Sequence, residues 1–236
     1  MMNSYKVFQN VSCYAFKNKK ECSDLIKKIY LQNKGFYSIA INAEKLIRCK
    51  EDQNFKRLVA ESKLPVPDGV SAQIMLKKKH KISSIKIDLP KQVLDFCNNY
   101  SLSIGIIGST ISNNKLAVEN IKKNYKKVKV VYNSNGYESK TKIIESLKKV
   151  KADFIFLGLG SPKQELFAKE LIQQDQNYKI INCGGAIDIL SGKRKRAPKA
   201  IQKLNLEWFY RMIIEPKRIN RYLKLFRFFF IYINND

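Results

Sequence analysis

The sequence predicts an α/β protein built on a mostly parallel sheet flanked by helices, with a helical appendage at its C-terminal end. Three observations predict it. Short apolar runs alternate with amphipathic stretches, several of those runs end in glycine or small polar residues, and the chain turns basic and aromatic over residues 204–236. Taken in order, Lys6–Phe16 reads as a strand or hairpin leading into the sheet. Tyr37–Ile41, Leu102–Gly108, Val128–Tyr132, Phe154–Gly158 and Lys179–Cys183 read as strands. Between them, Ser23–Leu31, Glu44–Ala60, Lys115–Tyr125, Thr141–Val150 and Gln164–Gln173 read as helices with an apolar and a lysine-rich face. Residues 1–203 are assigned to the sheet domain and 204–236 to the appendage.

At 236 residues, with 44% hydrophobic and 11% aromatic side chains, the chain can bury a real core and wholesale disorder is excluded. The net charge of +25 calls for an anionic partner: nucleic acid, an acidic membrane surface or a phosphorylated substrate. A competing source is composition, since the chain is rich in Lys, Asn and Ile throughout. The arginines are not explained that way, because six of the eight lie after Gly192. Arginine grips phosphate through a planar fork of donors, so the skew marks the C-terminal end as phosphate-facing. Cys13, Cys22, Cys49, Cys97 and Cys183 are odd in number and scattered, which fits a reducing compartment and neither disulfides nor a zinc knuckle. The one histidine, His80, lies in the basic run Lys77–Lys81 and reads as a solvated helix end. With no signal-peptide pattern and no run of about 18–20 apolar residues, the expectation is a cytoplasmic protein.

Candidate site residues fall where α/β sheets place their ligands, just past the strands. Asn42 follows Tyr37–Ile41. Leu102–Gly108 runs into Ser109-Thr110, Phe154–Gly158 into Leu159-Gly160-Ser161-Pro162, and Lys179–Cys183 into Gly184-Gly185-Ala186, three loops converging on one sheet edge. There a glycine admits a ligand close to the backbone, and the next helix offers free N–H groups to phosphate. None of these is a G-x-G-x-x-G or a P-loop, so each alone is also an ordinary tight turn. Asp68, between Pro67 and Gly69, is first of all a turn former. Because Val70–Leu76 follows, it also reads as a carboxylate at a helix entrance facing the sheet edge. Asp188 is a second carboxylate beyond a strand. Gln164 and Glu165 open a helix, Gln164 as a hydrogen-bonding group and Glu165 either beside it or complementing the helix dipole. With no D-x-D motif, a metal clamp is not expected, and diphosphate charge falls to arginine, lysine or helix N-termini.

In the tail, Leu206–Arg211 begins a helix that Pro216 interrupts or restarts. Arg218, Arg221, Lys224 and Arg227 then recur every three residues among Leu223, Leu225 and Phe226, and Phe228–Tyr232 is an unbroken apolar cluster. That pattern suits a helix lying in a membrane interface; the alternative is a helix packed on the core.

Read together, an ordered set of segments resembles the WecG/TagA/CpsF family, glycosyltransferase family 26. The set is Asn42-Ala43-Glu44, Pro67-Asp68-Gly69, Gly158–Glu165, Gly184–Asp188, Ser191-Gly192 and Arg196-Ala197-Pro198. It continues with Leu206-Glu207-Trp208, Arg211, Glu215–Arg218 and Arg221-Tyr222. The resemblance implies a Rossmann-like fold with a C-terminal, membrane-associating appendage that supplies arginines to the site. It implies an inverting transferase without metal or cofactor that moves N-acetylmannosamine or a relative from UDP. The acceptor is N-acetylglucosamine on undecaprenyl diphosphate, at the inner face of the membrane, with a homo-oligomer among its states. On it, Asp68 is the general base with Asn42 beside it. Gln164 and Asp188 hold the donor, Arg211, Arg218 and Arg221 meet the diphosphates, and Glu165, Gly158, Gly160, Gly185 and Arg196 are further substrate-binding residues.

This chain departs from the family pattern at three places. Ala40 replaces a threonine, Ser83–Leu89 lacks the arginine and glycine of an Arg-x-x-Gly-x-Asp-Leu segment, and Gly69-Val70-Ser71 lacks a second glycine. A different sugar or acceptor is therefore one alternative, and an inactive membrane scaffold another. A nucleic-acid binder, suggested by charge alone, would interleave aromatics with a basic face, whereas here the aromatics cluster in the tail.

Overall fold

Phe154-Ile155-Phe156-Leu157 shows why the sheet forms. Phe154 and Phe156 enter one core and Ile155 and Leu157 the other, so alternate side chains of one strand are buried on both faces. The computed structural model of the protein describes residues 4–8, 10–194, 197, 198, 201, 207–214 and 230. Its six-stranded sheet runs β4(Leu64–Pro67), β3(Phe36–Ile41), β8(Lys179–Asn182), β7(Phe154–Gly158), β5(Ser103–Gly108), β6(Lys129–Ser134), and every adjacent pair is parallel. β5 leads outward to β6 whereas β7 leads back to β8, so the crevice past their ends is a topological switch point.

Two helical layers cover the sheet. On one face lie α2(Ala43–Glu51), α3(Gln53–Ala60), α4(Val70–His80), α7(Lys140–Lys148) and α8(Lys163–Gln174), through Leu46, Phe55, Met75, Leu147 and Phe167. On the other lie α1(Lys19–Leu31), α5(Leu89–Tyr100), α6(Ile111–Asn124) and α9(Ala186–Leu190), through Ile26, Val93, Ile121 and Ile187. α10(Glu207–Ile214) is helical, as the tail pattern predicts.

The Rossmann-like α/β architecture expected from the sequence is therefore present, with differences of detail. Lys6–Phe16 is a hairpin, β1(Ser4–Phe8) with β2(Val11–Tyr14), but it forms its own antiparallel sheet rather than joining the main one. Glu44–Ala60 is two helices, because Asp52 is extended (φ −132, ψ 104) and its carboxylate caps α3 by accepting from the Phe55 N–H at 2.9 Å. β4 was not anticipated: Pro65 and Pro67 argue against a strand, and an edge position reconciles them. α5 was also missed. It starts at Asp88, whose side chain accepts from the Lys91 N–H, with Pro90 in the first turn. His80 does close α4, half-buried, with Nε2 2.7 Å from the Lys6 carbonyl oxygen.

The expected boundary between residues 203 and 204, Pro216 and the stripe Arg218–Arg227 lie outside the described residues. Among the described residues no helix is long and apolar enough to cross a membrane.

Candidate active site

The strands deliver their next residues to one edge of the sheet, and polar side chains gather there. Asn42 follows β3 and caps α2, its Oδ1 accepting from the Lys45 N–H at 3.1 Å. That bond fixes the carboxamide, and its Nδ2 donates to Asp68 Oδ2 at 3.3 Å. Asp68 follows β4, and its N–H extends the ladder by donating to the Ile41 carbonyl at 2.9 Å. Gly69, at φ +82, then turns the chain into α4, a conformation that a side chain would resist. The altered Ser83–Leu89 segment braces the same turn, since the Ile87 N–H donates to the Pro67 carbonyl at 3.3 Å. Asp68 is half-buried, and among the described residues its one side-chain hydrogen bond is to Asn42.

Past β7 and β8, glycines bring two loops together. A Cβ on Gly158 would stand 2.7 Å from the Gly184 carbonyl oxygen, so only glycine allows that approach. Gly160 is exposed, and its carbonyl accepts from the Gln164 N–H at 2.9 Å. Gln164 is 3% exposed; its Oε1 accepts from the Gly184 N–H at 3.1 Å and its Nε2 donates to Glu165 Oε1 at 3.1 Å. Glu165 is wholly buried and paired with Lys45, Nζ to Oε1 2.8 Å. Burial alone would raise its carboxyl pKa; the Lys45 charge, with hydrogen bonds from Lys45 and Gln164, outweighs burial and leaves it below the ordinary value. Asp188, in α9, accepts from Asn113 Nδ2 at 3.0 Å and from Ser109 Oγ, which ties the β8 side of the crevice to the β5 side. Gly185 is exposed, and a Cβ there would lie 2.7 Å from Arg194 Nη1, so a guanidinium covers this turn.

Asn42, Asp68, Gln164, Asp188, Gly158, Gly160 and Gly185 thus share the C-terminal edge of one sheet, as the sequence suggests. Glu165 shares the neighbourhood but faces inward to Lys45. Arg196, Arg218 and Arg221 lie outside the described residues, and of Arg211 only the helical backbone is described. Three residues at this edge were not singled out from sequence: Lys45, Asn113 and Arg194. Asn113 had a signal, because Thr110 caps α6 and so sets which residues open it; the Asn113 N–H donates to Thr110 Oγ1 at 3.3 Å. Lys45 had none, being one lysine of many. Burial pushes the Cys22, Cys49 and Cys183 thiols up to about 12, which leaves them poor nucleophiles. A lysine-lined groove (Ile74, Lys77, Lys78, Lys81, Ser83) lies at the far end of α4, away from these residues.

The chain is 29% identical over 217 residues to the N-acetylglucosaminyldiphosphoundecaprenol N-acetyl-beta-D-mannosaminyltransferase of Bacillus subtilis (strain 168), covering 90% of this chain and 85% of that protein. The family model for the glycosyl transferase WecG/TagA/CpsF family matches residues 9–236, which takes in both the crevice and the tail. A match to the family model over residues 9–236, nearly the whole chain, makes this chain a member of the WecG/TagA/CpsF glycosyltransferase family.

Proposed function

We propose that this protein transfers N-acetylmannosamine, or a close relative, from a UDP donor to N-acetylglucosamine on undecaprenyl diphosphate, with inversion and without a metal. The observation that carries the reading is the Asn42–Asp68 pair, a half-buried carboxylate held by one oxygen at the edge where the donor loops also end. The Bacillus subtilis relative is named for a β-linked product. A UDP-sugar carries its sugar α-linked, so a β product follows from one displacement.

In that displacement the acceptor hydroxyl oxygen bonds to the anomeric carbon as the bond to UDP breaks, and the hydroxyl proton passes to Asp68. Asn42 keeps the carboxylate aimed, and a fixed base raises the chance of reaction on each encounter. Strands β4 and β7 are three positions apart, about 14 Å along the edge, which leaves room for a hexose between base and leaving group. Gly158, Gly160, Gly185, Gln164 and Asp188 shape the donor side, with Glu165 acting through Gln164. Arg194, Arg196, Arg211, Arg218 and Arg221 meet the diphosphate charge. The tail seats the protein on the anionic inner face of the plasma membrane, where the acceptor lies, and a homo-oligomer is part of the same reading.

The test is UDP release from UDP-N-acetylmannosamine with a lipid-diphosphate-linked N-acetylglucosamine, wild type against Asp68→Asn. Loss of a general base lowers kcat by about 10²–10⁴. UDP binding retained with that loss supports the assignment; an Asp68→Asn enzyme within threefold of wild type contradicts it.

A further inference from the structure

A chain of hydrogen bonds joins the two halves of the site through a residue that no functional reading assigns. From the base side, Asn42 Nδ2 reaches Asp68 at 3.3 Å and Asn42 Oδ1 receives the Lys45 N–H at 3.1 Å. The Lys45 side chain, 6% exposed as a residue, pairs with Glu165 Oε1 at 2.8 Å. The same Oε1 receives Gln164 Nε2 at 3.1 Å, and Gln164 Oε1 receives the Gly184 N–H at 3.1 Å. The path therefore runs from the β4 turn through α2 and α8 to the β8 loop.

Packing strength does not account for this pair. Withdrawing an ammonium and a carboxylate from water is costly, and an apolar pair of similar volume commonly serves stability as well or better. The pair is also incompletely satisfied: among the described residues Glu165 Oε2 is buried with no hydrogen-bond partner, so the carboxylate is set by what Oε1 must hold. What Oε1 holds is direction. A carboxylate only accepts and a backbone N–H only donates, so Glu165 and Gly184 together admit one orientation of the Gln164 carboxamide. A protonated Glu165 could donate to the same amide and release it.

We infer that Lys45 is a positioning residue of the transferase: by holding Glu165 Oε1 it locks the Gln164 carboxamide onto the Gly184 loop, and it ties that loop to the Asn42–Asp68 base. This rests on the proposed function for its catalytic consequence, but not for its structural one.

Two variants test it, Lys45→Met and the double variant Lys45→Met/Glu165→Met, each in the full-length chain. The double variant replaces both charges by apolar bulk and keeps the fold even if the single variant does not. Hydrogen exchange at the Gly184 amide is measured by NMR alongside global stability and the KM for the UDP-sugar. The expected result is a Lys45→Met protein whose Gly184 amide exchanges at least tenfold faster and whose donor KM rises at least tenfold, and a double variant as stable as wild type that shows the same two changes. Unchanged Gly184 exchange in a folded double variant overturns the inference, whether or not the wild type turns over any sugar. A faster Gly184 amide with wild-type donor KM also overturns it, because the pair would then be structural alone. A wild type with no turnover defeats the proposed function, and Gly184 exchange still decides the lock.

Discussion

Replacing Gly108 by alanine tests whether the crevice past β5 and β7 depends on two backbones in direct contact. Gly108 is the last residue of β5 and pairs with Gly158, the last residue of β7. It sits at φ +134, and a Cβ there would lie 2.3 Å from the Gly158 carbonyl oxygen and 2.6 Å from its carbon. Neither atom is the end of a flexible side chain, so the strand ends must separate. Backbone strain of about 1–3 kcal/mol and overpacking of about 1–3 kcal/mol sum to roughly 2–6 kcal/mol. At about 2–4 °C per kcal/mol for a chain this long, the melting temperature falls by roughly 4–24 °C.

The same strand supplies the control. A Cβ on Gly105 would meet only side-chain atoms, the nearest at 3.8 Å, so Gly105→Ala changes stability by less than about 1 kcal/mol. Thermal unfolding followed by circular dichroism, with UDP affinity measured in parallel, separates the two. Gly108→Ala melting within about 2 °C of wild type would refute the contact argument, as would an equal loss in Gly105→Ala.

Acid should weaken the fold through Glu165 and Asp153. Both carboxyls lie below their ordinary values, Glu165 because Lys45 outweighs burial, and Asp153 because hydrogen bonds from Ser103 and Tyr30 do so. A depressed pKa contributes stability that is complete above the ordinary value and lost as pH falls through the folded one. Urea midpoints should therefore hold steady down to the ordinary carboxylate range and drop below it; Lys45→Met/Glu165→Met should soften that drop, and an unchanged acid limb would count against the pair. Deleting the chain after Leu204 should leave a folded core and abolish both turnover and binding to anionic vesicles. Normal activity from the truncated chain would remove the tail from the mechanism.

The parts of the fold legible in the sequence are those where a single physical demand dominates. Phe154–Gly158 reads correctly to the residue because a strand buried on both faces must be apolar throughout. β4 is hidden because its prolines are compatible with a strand only at a sheet edge, and edge position is a property of the whole topology. The Glu44–Ala60 region misleads for a related reason: apolar periodicity runs through Asp52, and only the extended backbone there reveals the cap. At the site, Asn42, Asp68 and Asp188 are legible as polar residues just past strands. Glu165 and Gln164 look alike in sequence and both are buried, yet their partners separate them, one facing Lys45 and the other reaching the Gly184 loop. Lys45 is illegible in a chain with 45 lysines and arginines, because nothing local distinguishes a buried ammonium from a solvated one.

The lipid product itself decides whether this edge of the sheet transfers a sugar. Wild-type protein is incubated with UDP-N-acetylmannosamine, lipid-diphosphate-linked N-acetylglucosamine and EDTA, and the lipid product is analysed by mass spectrometry and by NMR of its new anomeric centre. One N-acetylhexosamine is expected to be added in β linkage, undiminished by the chelator. No addition from this or any related UDP-sugar, or an α-linked product, would contradict it.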